Sequence, residues 1–199
     1  MHPSLATSAK NAVPLHAVRA KDARGWLARQ KRSTLVTASG FAGAAGALAA
    51  LPKGAAKLVL YTRATVDRDL LRGFESVDVE IRGGLSDVQL AADLKQCDLV
   101  ALPSIAEGFG LVILEAMACG VPVLCTTSTG GADFITHRQN GLLIEPGSTT
   151  AIEQELVWAL AHRDELFQMG QAARREAERH TWAEYRRKFF AAYVASVSG

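Results

Sequence analysis

The chain has 199 residues, of which 49% are hydrophobic and 21% charged, enough for one ordinary soluble domain with a filled core. Its net charge of +2 makes no case by itself for a polyanionic partner. The densest basic run, Arg186-Arg187-Lys188, reads as a solvated helix face, and no nucleic-acid partner is expected.

Residues 1–33 alternate short apolar pairs with basic residues without a sustained period, and read as a linker or leader. The stretch Leu35 to Leu51, LVTASGFAGAAGALAAL, is uncharged but built mostly of Ala, Gly, Ser and Thr. At about 17 residues it sits at the short limit for a membrane span, so a strand, loop and helix is the better reading. No secretory signal is expected, because mostly polar residues precede it.

A rhythm follows. Strand-type runs are predicted at Thr34–Ala38, Lys57–Thr62, Val77–Arg82, Leu99–Leu102, Val121–Thr126 and Leu142–Ile144. Helical spacing falls between them at Ala44–Leu51, Val66–Phe74, Asp87–Gln96, Gly110–Cys119 and, more weakly, Ala132–His137. Ser86 with Gln89 forms a capping box ahead of the third helix. Strands alternating with helices give an α/β fold, a doubly wound, Rossmann-like parallel sheet of about six strands over residues 34–147. In that class, ligands bind beyond the carboxyl ends of the strands.

Residues 148–199 carry no strand signal and read as C-terminal helices packing on the same domain. Ile152, Leu156 and Leu160 recur every four residues in the first helix, and the second runs from Asp164 to about Arg179. The third opens on Thr181 and Glu184 and carries Trp182, Tyr185, Phe189 and Tyr193 along one stripe. That stripe reads as core packing against the sheet; the alternative is a surface that docks a second domain or subunit. Cys97, Cys119 and Cys125 have neither zinc-site nor disulfide spacing and read as buried thiols in a reducing, cytoplasmic setting.

The segment Leu102 to Val123, LPSIAEGFGLVILEAMACGVPV, carries the chemistry. Glu107 and Glu115 flank a Gly-Phe-Gly turn between a strand and a helix, so free backbone N–H groups and two carboxylates face one space. A helix start attracts phosphate and carboxylates suit sugar hydroxyls, which together suggest a nucleotide sugar. Leu111 and Glu115 are one turn apart and share a face. Carboxylates without a close Asp or His partner set argue for a metal-independent site, and no cofactor is expected beyond the donor substrate.

This string closely resembles the donor-site motif of the group 1 (family 4) retaining glycosyltransferases of GT-B type. Further blocks match in order: VDVEIRGGLSDVQL with CDLVALPS upstream, then TSTGGADFI, Asn140-Gly141-Leu142-Leu143, Glu145-Pro146-Gly147 and Thr181-Trp182 downstream. The resemblance covers roughly residues 34–197. It implies that Glu107 contacts donor-sugar hydroxyls near the reacting carbon and is the catalytic candidate. By the same resemblance, Gly108, Phe109, Gly110 and Leu111 meet phosphate and sugar, and Glu115 holds the ribose. The turn at Gly83, Gly84 and Leu85 receives the base. Gly130-Gly131 and Asn140-Gly141 read as turn chemistry first. The reaction implied is glycosyl transfer from a nucleoside diphosphate sugar to an acceptor hydroxyl with retention, in a setting such as polysaccharide biosynthesis.

Two departures stand out. The chain looks like the C-terminal half of GT-B, with residues 11–33 resembling the interdomain linker, and the acceptor domain is absent. It therefore reads as a fragment, an isolated domain or one subunit of a split enzyme. In addition, the family's Gly-Arg and Lys-Gly pair is replaced by Ser39-Gly40-Phe41-Ala42-Gly43-Ala44-Ala45-Gly46. Gly40 survives and both charges are gone. Two charge-assisted bonds contribute about 3–6 kcal/mol together. Arg63, just past the second strand, is the candidate substitute, against the plainer reading of a surface arginine. A non-catalytic nucleotide-sugar-binding module is the main alternative function; a nucleotide-sugar epimerase is disfavoured by the Glu-Gly-Phe-Gly block. A separate acceptor domain or subunit is the expected partner; a homodimer and peripheral membrane contact remain open.

Overall fold

The strand-type runs pair into one sheet in the computed structural model, which describes residues 33–37, 41–62 and 71–197. In chain order the elements are β1 (Ser33–Thr37), α1 (Phe41–Ala49), β2 (Ala56–Tyr61), β3 (Asp78–Arg82), α2 (Asp87–Leu94), β4 (Leu99–Leu102), α3 (Leu111–Ala118) and β5 (Val123–Thr126). A 3₁₀ turn (Gly130–Asp133), β6 (Leu142–Ile144), α4 (Thr149–Ala161), α5 (Arg163–Ala177) and α6 (Trp182–Val197) complete the chain. All pairings are parallel and the strand order is β3-β2-β1-β4-β5-β6. This is the Rossmann order, in which the chain reverses direction across the sheet between β1 and β4.

Both faces of β4 and β5 are buried, so their sequences run continuously apolar rather than alternating. Val100 and Leu102 of β4, with Val123 and Cys125 of β5, enter a core shared with Ile113 and Met117 of α3. Leu99 and Ala101 of β4, with Leu124 of β5, face the opposite core, against Ala44 and Ala45 of α1 and Ile152 and Leu156 of α4. The Ala/Gly stretch that looked faintly membrane-like forms α1. Its small side chains let α4 approach so closely that a Cβ on Gly43 would stand 3.1 Å from Ile152 Cδ1. No helix among the described residues is long and apolar enough to cross a membrane.

Helix α5 serves both cores. Leu166 and Met169 belong to the α1–α4 side, Ala173 and Ala177 to the α3 side. Between them Gly170 passes directly against the Gly120 carbonyl oxygen. Arg174 then donates from Nη1 to Ala118 O at 2.9 Å, capping the carboxyl end of α3 where a cation is favoured.

Two expectations are corrected. Ala132–His137 is not helical; only the 3₁₀ turn Gly130–Asp133 forms there. The buried Asn140 side chain instead accepts from Thr136 N at 2.7 Å and donates to Phe134 O at 2.9 Å, folding the segment back on itself. The aromatic stripe of α6 is not core: Trp182, Tyr185 and Tyr193 are 47%, 53% and 58% exposed. Most of the helix proposed at Val66–Phe74 lies outside the described residues; its described end, from Leu71, is turn. The three cysteines are buried free thiols, and burial pushes the thiol of Cys119 up to about 11.

Candidate functional site

The strand order puts the β4–α3 connection at the point of reversal, the place where open α/β sheets bind ligands. Strand β4 is wholly buried, as are Pro103 and Ser104 after it. The chain then surfaces: residues Ile105 to Phe109 are exposed, Glu107 among them. Gly110 turns it into α3 with φ 65° and ψ 59°, a left-handed conformation that disfavours any side chain. A Cβ there would also press on Ile113 Cδ1 at 3.0 Å and Leu102 Cδ2 at 3.3 Å.

Helix α3 starts with no side-chain cap and no acidic residue in its first turn. Its positive end is therefore available to an anion. Leu111, 44% exposed, and Glu115, also exposed, lie on one open face, while Ile113, Leu114, Ala116, Met117 and Ala118 fill the core behind. The structure thus brings Glu107, Gly108, Phe109, Gly110, Leu111 and Glu115 into one continuous strand–loop–helix surface.

What holds that loop in place was not read from the sequence. The segment after β5 forms its floor through hydroxyls and glycines. Thr126 donates from Oγ1 to Ser104 O at 2.6 Å, and Ser128 from Oγ to Ile105 O at 2.7 Å. The backbone adds Gly130 N to Gly108 O at 3.0 Å and a longer bond from Glu107 N to Ser128 O at 3.4 Å. Gly130 lies so close that a Cβ on it would stand 2.6 Å from Phe109 O. It opens the 3₁₀ turn Gly130–Asp133 without a left-handed φ, and what requires glycine there is the close approach. Phe109 leans toward Phe134 (centroids 6.3 Å apart), and Phe134 toward His180 (5.3 Å). The available signal was the hydroxyl-rich string Thr126-Thr127-Ser128-Thr129 following a buried strand.

Gly83, Gly84 and Leu85 leave the carboxyl end of β3 on the same edge of the sheet, with Gly84 at φ 68°. Two strands, β2 and β1, separate them from β4. At ~4.8 Å per strand the two loops stand about 14 Å apart. Gly40 and Arg63 lie outside the described residues. Of the segment that lacks the family's two cations, Phe41, Ala42, Gly43 and Ala44 form the first turn of α1, which is neutral. Among the described residues no group of three or more His, Cys, Asp or Glu is placed to hold a metal ion.

Residues 75–176, just over half of the chain and spanning both loops, match the family model for glycosyl transferases group 1. The chain belongs to the group 1 glycosyltransferase family. It is 34% identical over 111 residues to a D-inositol 3-phosphate glycosyltransferase of Segniliparus rotundus, covering 56% of this chain and 25% of that protein. Over 81 residues it is 42% identical to the N-acetyl-alpha-D-glucosaminyl L-malate synthase of Bacillus anthracis, covering 41% of this chain and 21% of that one. In both the matched part is about a quarter or less of the relative's length.

Solved structures share the fold. Anabaena HepE, solved with UDP and glucose, superposes with a TM-score of 0.72 at 22% identity, over 94% of this chain and 56% of its own. The C-terminal domain of the Francisella tularensis group 1 protein LpcC aligns with a TM-score of 0.67 at 19% identity. That match covers 84% of this chain and 97% of that domain. The chain therefore has the architecture of a GT-B C-terminal domain.

Proposed function

We propose that the chain is the donor-binding domain of a glycosyltransferase that moves a sugar from a nucleoside diphosphate sugar to an acceptor hydroxyl with retention. The observation that carries this is the uncapped start of α3, entered through left-handed Gly110 and flanked by exposed Glu107 and Glu115 at the point of strand reversal. The first-turn N–H groups and the turn Gly108–Leu111 would take the diphosphate, stabilising the charge that develops on the leaving group. Glu115, one turn along the open face, takes the ribose hydroxyls, and Glu107 the donor-sugar hydroxyls beside the reacting carbon. The Gly83–Leu85 loop takes the base. No metal is required by this arrangement, and the acceptor site comes from another domain or subunit. One neighbour in fold, Anabaena HepE, solved with UDP and glucose and with UDP-glucose, supports the ligand class. A cytoplasmic location fits this donor.

Calorimetry with UDP-, GDP- and ADP-sugars tests the reading. Micromolar to millimolar binding of one of them, lost on E115Q, is expected; no binding of any at millimolar concentration would refute it.

A second reading, a nucleotide-sugar-binding module without turnover, is favoured by the neutral first turn of α1. Two missing charge-assisted bonds correspond to about two to four decades of affinity or rate. Supplying an acceptor domain in trans separates the two: turnover supports the transferase, and binding without turnover supports the module.

A further inference from the structure

We propose that Asp93 is a positioning residue for base recognition: with Arg82 and Tyr61 it clamps the β3–α2 loop, Gly83 to Leu85, in its ligand-receiving shape. The proposal rests on the donor-binding reading above.

The loop is short, and each of its ends is tied independently. At the front, Thr62 N donates to Arg82 O at 3.0 Å, and Gly83 lies directly under the Thr62 carbonyl oxygen, where a Cβ would collide. At the rear, Ser86 caps α2, and the Gln89 side chain returns to Ser86 N at 2.9 Å. What ties these two ends to each other is Asp93. Its Oδ2 accepts from Arg82 Nη1 at 2.8 Å and from Tyr61 Oη at 3.1 Å, joining α2 to the last residues of β3 and β2. Loop, cap, helix and ion pair form a closed ring that leaves Gly83 and Gly84 exposed at its crest.

Three features argue that this ring has a use beyond stability. Asp93 sits in the last turn of α2, where the helix dipole disfavours an acid and the turn itself carries no basic residue; its charge is met from outside the helix, by Arg82 of β3. A residue that breaks a local rule in this way is expected at functional sites. Arg82 is held on two sides: Nη1 by Asp93 and Nε by Glu80 at 2.6 Å, and Glu80 is also bonded by Lys57. Arg82 is thus a strut and not the missing phosphate cation, although it stands at the ligand edge. Tyr61 is held protonated by burial first and by the neighbouring carboxylate of Asp93, so it remains a donor to that carboxylate.

The test is titration calorimetry of the full chain with UDP, GDP and ADP, comparing wild type with D93N. The expected result is a wild-type preference among the three bases and, in D93N, a fall of at least threefold in the ratio of tightest to weakest binding. A purely structural role would lower the melting temperature and weaken all three equally, leaving the ratio unchanged, and would overturn the proposal. So would a wild type that binds all three alike. If D93N does not fold, Y61F removes one of the two donors and should compress the ratio in the same direction; an unchanged ratio there counts against the clamp. Failure of the wild type to bind any nucleotide overturns the donor-binding reading itself, whereas wild-type binding with an unaltered ratio in both variants overturns the clamp alone.

Discussion

Gly130 carries no Cβ at a point where one would press on the backbone of Phe109, 2.6 Å from its carbonyl oxygen. Backbone cannot swing aside as a side-chain tip can, so G130A must push the Glu107–Gly110 loop off its floor. Overpacking of this kind costs about 1–3 kcal/mol. G130A should therefore lower both the denaturant midpoint and the nucleotide affinity, the latter by on the order of tenfold for 1.4 kcal/mol; a titration on the purified variant checks it. A different residue sets a pH response. Hydrogen bonds from Arg82 first and Lys57 second hold the Glu80 carboxyl down from 4.5 to about 2. A carboxylate depressed in the folded state contributes stability above its unfolded value and loses it as the pH falls toward the folded one. Wild type should thus melt higher than E80Q at pH 7, and the gap should close between pH 4.5 and 2. Thermal melts across that range measure it, and a gap that persists at pH 2 contradicts the assignment.

At the level of elements, α5 shows how tertiary contact reverses a local preference. Replacing glycine by alanine in an exposed helix interior gains about 1 kcal/mol. At Gly170 the new methyl would run into the Gly120 carbonyl oxygen. The overpacking term of about 1–3 kcal/mol then wins, and G170A should melt several degrees lower, at roughly 2–4 °C per kcal/mol. A raised melting temperature would show the α5 approach to be looser than described. The same contrast explains which elements were readable. β4, α3 and the Gly-Phe-Gly turn were legible because buried parallel strands leave continuous apolar runs and the turn needs glycine; observed bounds for β4 and β6 match the runs at Leu99–Leu102 and Leu142–Ile144. The Ser86–Gln89 box was legible because it is local in sequence. The hydroxyl floor was not, since Thr126 and Ser128 find their partners 22 and 23 residues away. Ala132–His137 was misread because helical spacing there competes with the side chain of Asn140, which satisfies the same backbone groups without a helix.

At the scale of the molecule, helix α6 stands apart. Trp182 and Tyr185 touch edge to face at 5.8 Å yet remain about half exposed. As core residues they would each cost about 3–5 kcal/mol on truncation. At these exposures W182A and Y185A should each shift stability by only about 0.5 kcal/mol, as equilibrium unfolding in urea would show; a loss above 2 kcal/mol would return the stripe to the core. The rest of the molecule closes late. The last strand ends at Ile144, but α5, which belongs to both cores, ends only at Ala177. On a ribosome that interval of 33 residues (144 to 177) takes on the order of two to seven seconds at roughly 5–20 residues per second. Throughout it a complete set of six strands waits in the nascent chain with neither face fully covered. The synthesis of this domain therefore contains a built-in delay before the chain's own helix can shield the sheet.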